Sequence, residues 1–284
     1  MRKFTTIISS LFLVASVNAA SVWKVSDGES SLYLGGTLHL LSASDYPLPE
    51  AFDKAFAASE TLVFETDIAA MESPQFAQQM MMSMMYRDGT TLSDVLSPAT
   101  LTQLKAQLAQ YGLPFEQMKA LKPSLIGITL SAVEFQRLGL NVEGVDKYFF
   151  TKGTQESKAI DWLETPMEQV NFIASMGEGK EDEMIKYTLR DLEKLPVALE
   201  QMKADWLAGD MQSMYDHSMK DFKQDYPEIY NNLLVTRNNN WMPKILDYMK
   251  TPEAEFVLVG ALHMAGEAGL IAQLKKAGYT VTKL

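Results

Sequence analysis

Phe256–Gly266, FVLVGALHMAG, decides the fold when it is set beside Leu32–Leu41, LYLGGTLHLL. Each is a short apolar run that ends in Gly-x-x-His, as Gly36-Thr37-Leu38-His39 and Gly260-Ala261-Leu262-His263. A continuous apolar run of this length reads as a strand buried on both faces, the pattern of a parallel sheet. The chain has three histidines, and two of them occupy this one motif at opposite ends of the sequence. The two ends therefore have to meet in one sheet.

Two further runs share the pattern. Thr61-Leu62-Val63-Phe64 ends on Glu65-Thr66-Asp67, and Ala159-Ile160-Asp161-Trp162-Leu163 ends on Glu164-Thr165. Asp27-Gly28 between Ser21–Val25 and Ser31–Leu38 signals a hairpin. Between the ends the sequence is helical over about residues 71–250, with Ser73-Pro74, Ser97-Pro98 and Thr165-Pro166 as helix starts. Pro227–Met249 reads as one helix with a break or kink at Pro243, and Gly177–Lys180 as a hinge. The expected fold is α/β: a mainly parallel or mixed central sheet built from both chain ends, flanked by helices, with a large helical insertion. The expected organisation is a signal peptide over 1–20 and a single domain over 21–284.

Composition narrows the function. A chain of 284 residues that is 47% hydrophobic and 21% charged can bury a substantial core. A net charge of −11 with no basic stripe argues against nucleic acid, whose phosphates need clustered Lys and Arg. Arg2-Lys3, the apolar Ile7–Val17 and the small residues of Val17-Asn18-Ala19 read as a cleaved export signal, too short for a good membrane span. Cysteine is absent, which excludes a thiol nucleophile, thiolate metal sites and a lipid anchor. The expectation is a periplasmic or secreted protein with no stable membrane span after cleavage.

Ligands of open α/β sheets bind beyond the carboxyl ends of the strands. His39, Glu65, Glu164 and His263 all stand at such ends. Two imidazoles and a carboxylate suffice for a catalytic divalent metal with positions left for water and substrate. His39, His263 and Glu65 are the expected metal set, with Glu65 either a third ligand or the base that takes a proton from water. Glu164, before Thr165-Pro166, fits a helix-start carboxylate and is left outside that set. His217 lies in a polar helical stretch and reads as solvated. Thr236–Trp241 is either an exposed polar helix face with Trp241 turned to the core, or a source of an arginine that clamps an anionic oxygen. The methionines at 80–82, 84 and 85 read as flexible core or lid packing.

With these residues in hand the chain resembles the TraB/GumN family, most of all its exported bacterial YbaP-like members. The resemblance runs through Leu34–His39, Leu48-Pro49, Val63–Asp67 and Gly144-Val145-Asp146. It continues through Leu163-Glu164-Thr165 with Glu168-Gln169, Arg237-Asn238 with Trp241, Val259–His263, and Gly269-Leu270 to Val281. The family is similar to the Tiki metalloproteases and more remotely to erythromycin-esterase-like and ChaN-like proteins. The resemblance implies that His39, Glu65, Arg237 and His263 frame the site, with Arg237 and Asn238 stabilising an oxyanion. It implies a metal-dependent hydrolase, peptidase-like, acting on a peptide or small molecule. Manganese or cobalt is the metal in the Tiki case, and the residues do not choose between these, zinc and iron. A non-catalytic haem-, metal- or peptide-binding protein and a metal-independent esterase stay open as alternatives.

Overall fold

The computed structural model describes residues 20–284. The expected signal segment, except Ala20, lies outside them. Eight strands form in chain order: β1 (Val22–Ser26), β2 (Ser31–Thr37), β3 (Leu40–Leu41), β4 (Thr61–Thr66), β5 (Val142–Glu143), β6 (Ala159–Glu164), β7 (Glu255–Gly260) and β8 (Thr280–Lys283). Six of them make one sheet in the order β6-β4-β7-β2-β1-β8. The four strands β6, β4, β7 and β2 are parallel neighbours, and β1 runs against β2 and β8. The sheet is therefore mixed, with a parallel centre, and the two motif strands β2 and β7 are adjacent within it.

The apolar runs explain the centre. Phe256, Val257, Leu258 and Val259 are fully buried, as are Leu32, Leu34, Leu62 and Val63. Gly35 in β2 lies where a Cβ would stand 2.8 Å from the Phe256 ring and 2.9 Å from Leu258, so the glycine admits large side chains from its neighbour. Asp27 holds the hairpin between β1 and β2, accepting from the amides of Glu29 and Ser30 at 3.0 and 2.8 Å.

Helices cover the sheet and fill the middle of the chain. Among the described residues, none is long and apolar enough to cross a membrane. The helix Arg237–Tyr248 runs through Pro243 without ending there. Pro243 and Asn239, whose carbonyl the proline leaves free, both face solvent, which satisfies that oxygen. The expected single helix from Pro227 instead contains a π-helical turn, Asn231–Thr236, immediately before Arg237. Such turns often mark functional positions, because one extra residue re-aims the side chains that follow. Gly177 and Gly179 have positive φ in a turn that joins the helices Pro166–Ala174 and Glu181–Ala208.

His217 is exposed, as its polar stretch suggests, and is held by neighbours as well. Its Nδ1 stands 3.2 Å from Asp205 Oδ2 and 3.2 Å from Ser213 Oγ, so it is paired, with 52% of its side chain exposed. Ser213 lies 4 residues back, and Asp205, 12 residues back, belongs to the preceding helix, which ends before the left-handed Gly209.

Candidate active site at the carboxyl ends of the parallel strands

The four parallel strands deliver His39, Glu65, Glu164 and His263 to one end of the sheet. Gly260, the last residue of β7, is the centre of the arrangement. A Cβ there would stand 3.2 Å from Glu65 Oε1, 3.6 Å from His39 Nε2 and 3.7 Å from His263 Cδ2. Both motif histidines thus face one crevice, with Glu65 between them.

His39 is held from behind. Its Nδ1 is 2.8 Å from Asp146 Oδ2, and Thr37 Oγ1 donates to the other carboxylate oxygen at 2.5 Å. A short two-stranded sheet of β3 and β5 brings these parts together, and the Val145 amide donates to the Leu38 carbonyl at 3.0 Å. Gly144 is required at that crossing, since a Cβ would fall 2.2 Å from both the Leu38 oxygen and the His39 carbonyl carbon. The Asp146 carboxylate raises the His39 imidazole to about 9, although the ring faces open space, with 68% of its side chain exposed.

His263 is held differently. Its Nδ1 donates to Asn238 Oδ1 at 2.7 Å, which leaves Nε2 as the acceptor. Asn238 Nδ2 donates to the carbonyls of His263 and Ala268 at 3.1 and 2.9 Å. Asn238 is thus committed on both sides, and its place is behind the imidazole rather than facing an oxyanion. The Trp241 ring lies against His263 with centroids 4.4 Å apart. Burial pushes His263 down to about 3, so it is neutral near pH 7.

Arg237 ties the remaining groups together. Its Nη2 donates to Glu65 Oε2 and to Glu164 Oε1, each at 2.6 Å, and its Nε reaches both Glu164 oxygens at 3.1 Å. Its Nη1 stands 3.1 Å from His263 Nε2. Trp241 Nε1 donates to Glu164 Oε2 at 3.0 Å, and the guanidinium lies 4.6 Å from the Trp241 ring. Glu164 thus anchors Arg237 instead of serving as the expected helix-start carboxylate: its oxygens face a buried guanidinium rather than the following helix. Burial works to raise the Glu65 carboxyl, but Arg237 and the histidines outweigh it and bring it down to about 2, with the Gly260 amide donating at 2.7 Å. Burial prevails at Glu164, which is shifted up. Of the two carboxylates sharing one guanidinium, Glu164 takes a proton first.

The family model of the TraB/PrgY/gumN family matches residues 21–283, nearly the whole described chain. The chain belongs to the TraB/PrgY/gumN family. No curated protein and no solved structure matches it. In this TraB/PrgY/gumN chain Asp146, Glu164 and Gln169 are the residues whose partners in the site appear only in three dimensions. Gln169 donates to Glu65 Oε2 at 3.2 Å. Gly144, two residues before Asp146, is the signal in the sequence for it, since glycine marks close backbone approach.

The donors suit a divalent cation in kind. Two imidazoles with their outer nitrogens fixed by Asp146 and Asn238 present Nε2 toward a carboxylate, the usual outer support of metal-binding histidines. As the side chains stand, no three such donors among the described residues are close enough together to share one ion. Arg237 engages Glu65 Oε2 and His263 Nε2 with its guanidinium, and His263 Nε2 stands 3.9 Å from Glu65 Oε1.

The crevice is one wall of an open cavity of about 1080 Å³. His39, Glu65, Arg237 and His263 line it together with side chains from the helical insertion.

Proposed function

We propose that this protein is a hydrolase that works at this crevice with a divalent metal, as a periplasmic or secreted enzyme. One observation carries the metal reading. The outer nitrogens of His39 and His263 are both occupied by side-chain partners, so that His39 Nε2 borders the space beside Gly260 where Glu65 stands, and His263 Nε2 lies 3.9 Å from Glu65 Oε1. His39, His263 and Glu65 would hold the ion, which supplies Lewis acidity toward water and a carbonyl oxygen. Asp146 and Asn238 orient the two rings. The Gly260 amide and Gln169 fix the Glu65 carboxylate. Arg237, anchored by Glu164, places positive charge beside the oxygen on which negative charge develops, its own N–H groups being held by Glu65, Glu164, His263 and the Leu233 carbonyl. An amide or an ester meets the requirements of this set.

The test is metal analysis of untagged mature protein beside His39→Ala and His263→Ala. Bound manganese, cobalt, zinc or iron in the parent and its loss in both variants is the expected result. Equal metal content in all three proteins refutes the metal reading.

One contact favours a second reading, a metal-independent hydrolase. Arg237 Nη1 already places positive charge 3.1 Å from His263 Nε2. In that case the His39–Asp146 pair moves the proton. Full turnover in a strong chelator by protein without bound metal selects this reading over the first.

A further inference from the structure

We propose that the substrate is an uncharged ester or amide of a long acyl chain, ten carbons or more, whose chain lies in the cavity beside the crevice. This rests on the hydrolase reading and names its substrate class. The cavity wall is mostly apolar, with Ile68, Phe135, Ile173, Leu199 and Leu262 among its side chains. At about 1080 Å³ it exceeds the ordinary range of small-molecule pockets. A methylene takes roughly the share of one water, about 30 Å³, so a twelve-carbon chain fills only about a third of it.

Charge argues for a neutral ligand. The charged residues of the wall are already paired: His39 with Asp146, Lys147 with Glu72, Lys203 with Asp45, and Arg237 with Glu65 and Glu164. Among the described residues the wall therefore offers no unpaired charge to a carboxylate or ammonium group. An extended peptide is also poorly served. Peptides bind to sheets by adding a strand at an edge; neither edge of the main sheet, β6 or β8, contributes to the cavity, and the two-residue β3 contributes only Leu40, too short a template for strand addition. The wall offers area for apolar burial instead.

Placed this way, the acyl carbonyl reaches the Gly260 end of the cavity. Water adds its oxygen to the carbonyl carbon, the bond to the leaving alcohol or amine breaks, and the leaving group takes the proton. The products are a fatty acid and an alcohol or amine.

The experiment has two arms on the mature protein. In the first, the uncharged fluorophore N-phenyl-1-naphthylamine is titrated and then displaced by 1-alkanols of six to twelve carbons. Saturable binding, with displacement strengthening about fourfold per added methylene, is the expected result. In the second, p-nitrophenyl esters from acetate to dodecanoate are hydrolysed, and kcat/KM rises with chain length. Ile173→Trp, which fills the wall, lowers both responses at least tenfold for the long chains. Ile128→Glu, at a wall position with 43% exposure, does the same by placing a charge there, and serves if the tryptophan variant fails to fold. Non-saturable binding or a flat chain-length dependence overturns the inference. Saturable, chain-length-dependent binding without hydrolysis of any ester supports the cavity's ligand class and overturns the hydrolase reading alone.

Discussion

Gly260→Ala separates the site from the fold. Gly260 has φ −49° and ψ 133°, a conformation that alanine adopts freely. The substitution removes backbone freedom from the unfolded chain, which by itself stabilises by about 0.4–1 kcal/mol. Against this stands the new methyl group, 3.2 Å from Glu65 Oε1 and 3.6 Å from His39 Nε2. The first contact is tighter than ordinary packing, so Glu65 has to give by a few tenths of an ångström while bound to Arg237 and the Gly260 amide. The two effects are of similar size, and the expected change in unfolding free energy is within about 1 kcal/mol of zero. The methyl group also occupies the space the three donors share. A misplacement on the scale of an ångström costs about a hundredfold in rate. Urea melts followed by circular dichroism, run beside turnover of a long-chain ester and metal content, give the comparison. Parental turnover in a stably folded Gly260→Ala protein refutes the assignment of this space to the reaction. A loss of stability of about 3 kcal/mol or more refutes the packing argument.

Arg237→Met leaves Glu65 and Glu164 buried beside each other without their cation, and about 3–5 kcal/mol of stability is lost at neutral pH in denaturant melts. Trp241→Phe keeps the packing against His263 but removes the donor to Glu164 Oε2, and costs about 1–2 kcal/mol by the same assay. Asp45 is half of a partly buried pair with Lys203: burial works to raise its carboxyl, and Lys203 and Ser42 hold it below the usual range. A depressed carboxyl stabilises the fold fully above its unfolded pKa of about 3.9 and loses that contribution as pH falls through the lower folded value. Lys203→Met is therefore expected to melt about 1 kcal/mol less stably than the parent at pH 7, with the gap narrowing below about pH 4. His217→Ala, whose ring contacts Asp205 and Ser213 rather than the crevice, leaves turnover within about twofold of the parent in the ester assay.

Much of the fold was legible because its signals are local. Four apolar runs, each ending in a polar residue, predict buried parallel strands, and Asp27-Gly28 predicts the hairpin. Hydrophobic runs and turn residues act over a handful of positions, so a linear reading finds them. The π-helical turn before Arg237 was not legible, because its residues, Asn231–Thr236, have the composition of an ordinary helix. The passage of the helix through Pro243 depends on which face meets water, and that is a tertiary fact.

The motif pair by itself determined that the two chain ends share a sheet, and the apolar runs determined that His39, Glu65 and His263 stand at strand ends. It did not determine their partners. Asp146 is 107 residues from His39, Glu164 is 73 from Arg237, and Gln169 is 104 from Glu65. A carboxylate at a helix start looks the same in sequence whether it faces solvent or a buried guanidinium. Only the packing of the helix Arg237–Tyr248 against β6 turns Glu164 into the anchor of Arg237, because burial makes an unpaired charge far too costly to leave alone.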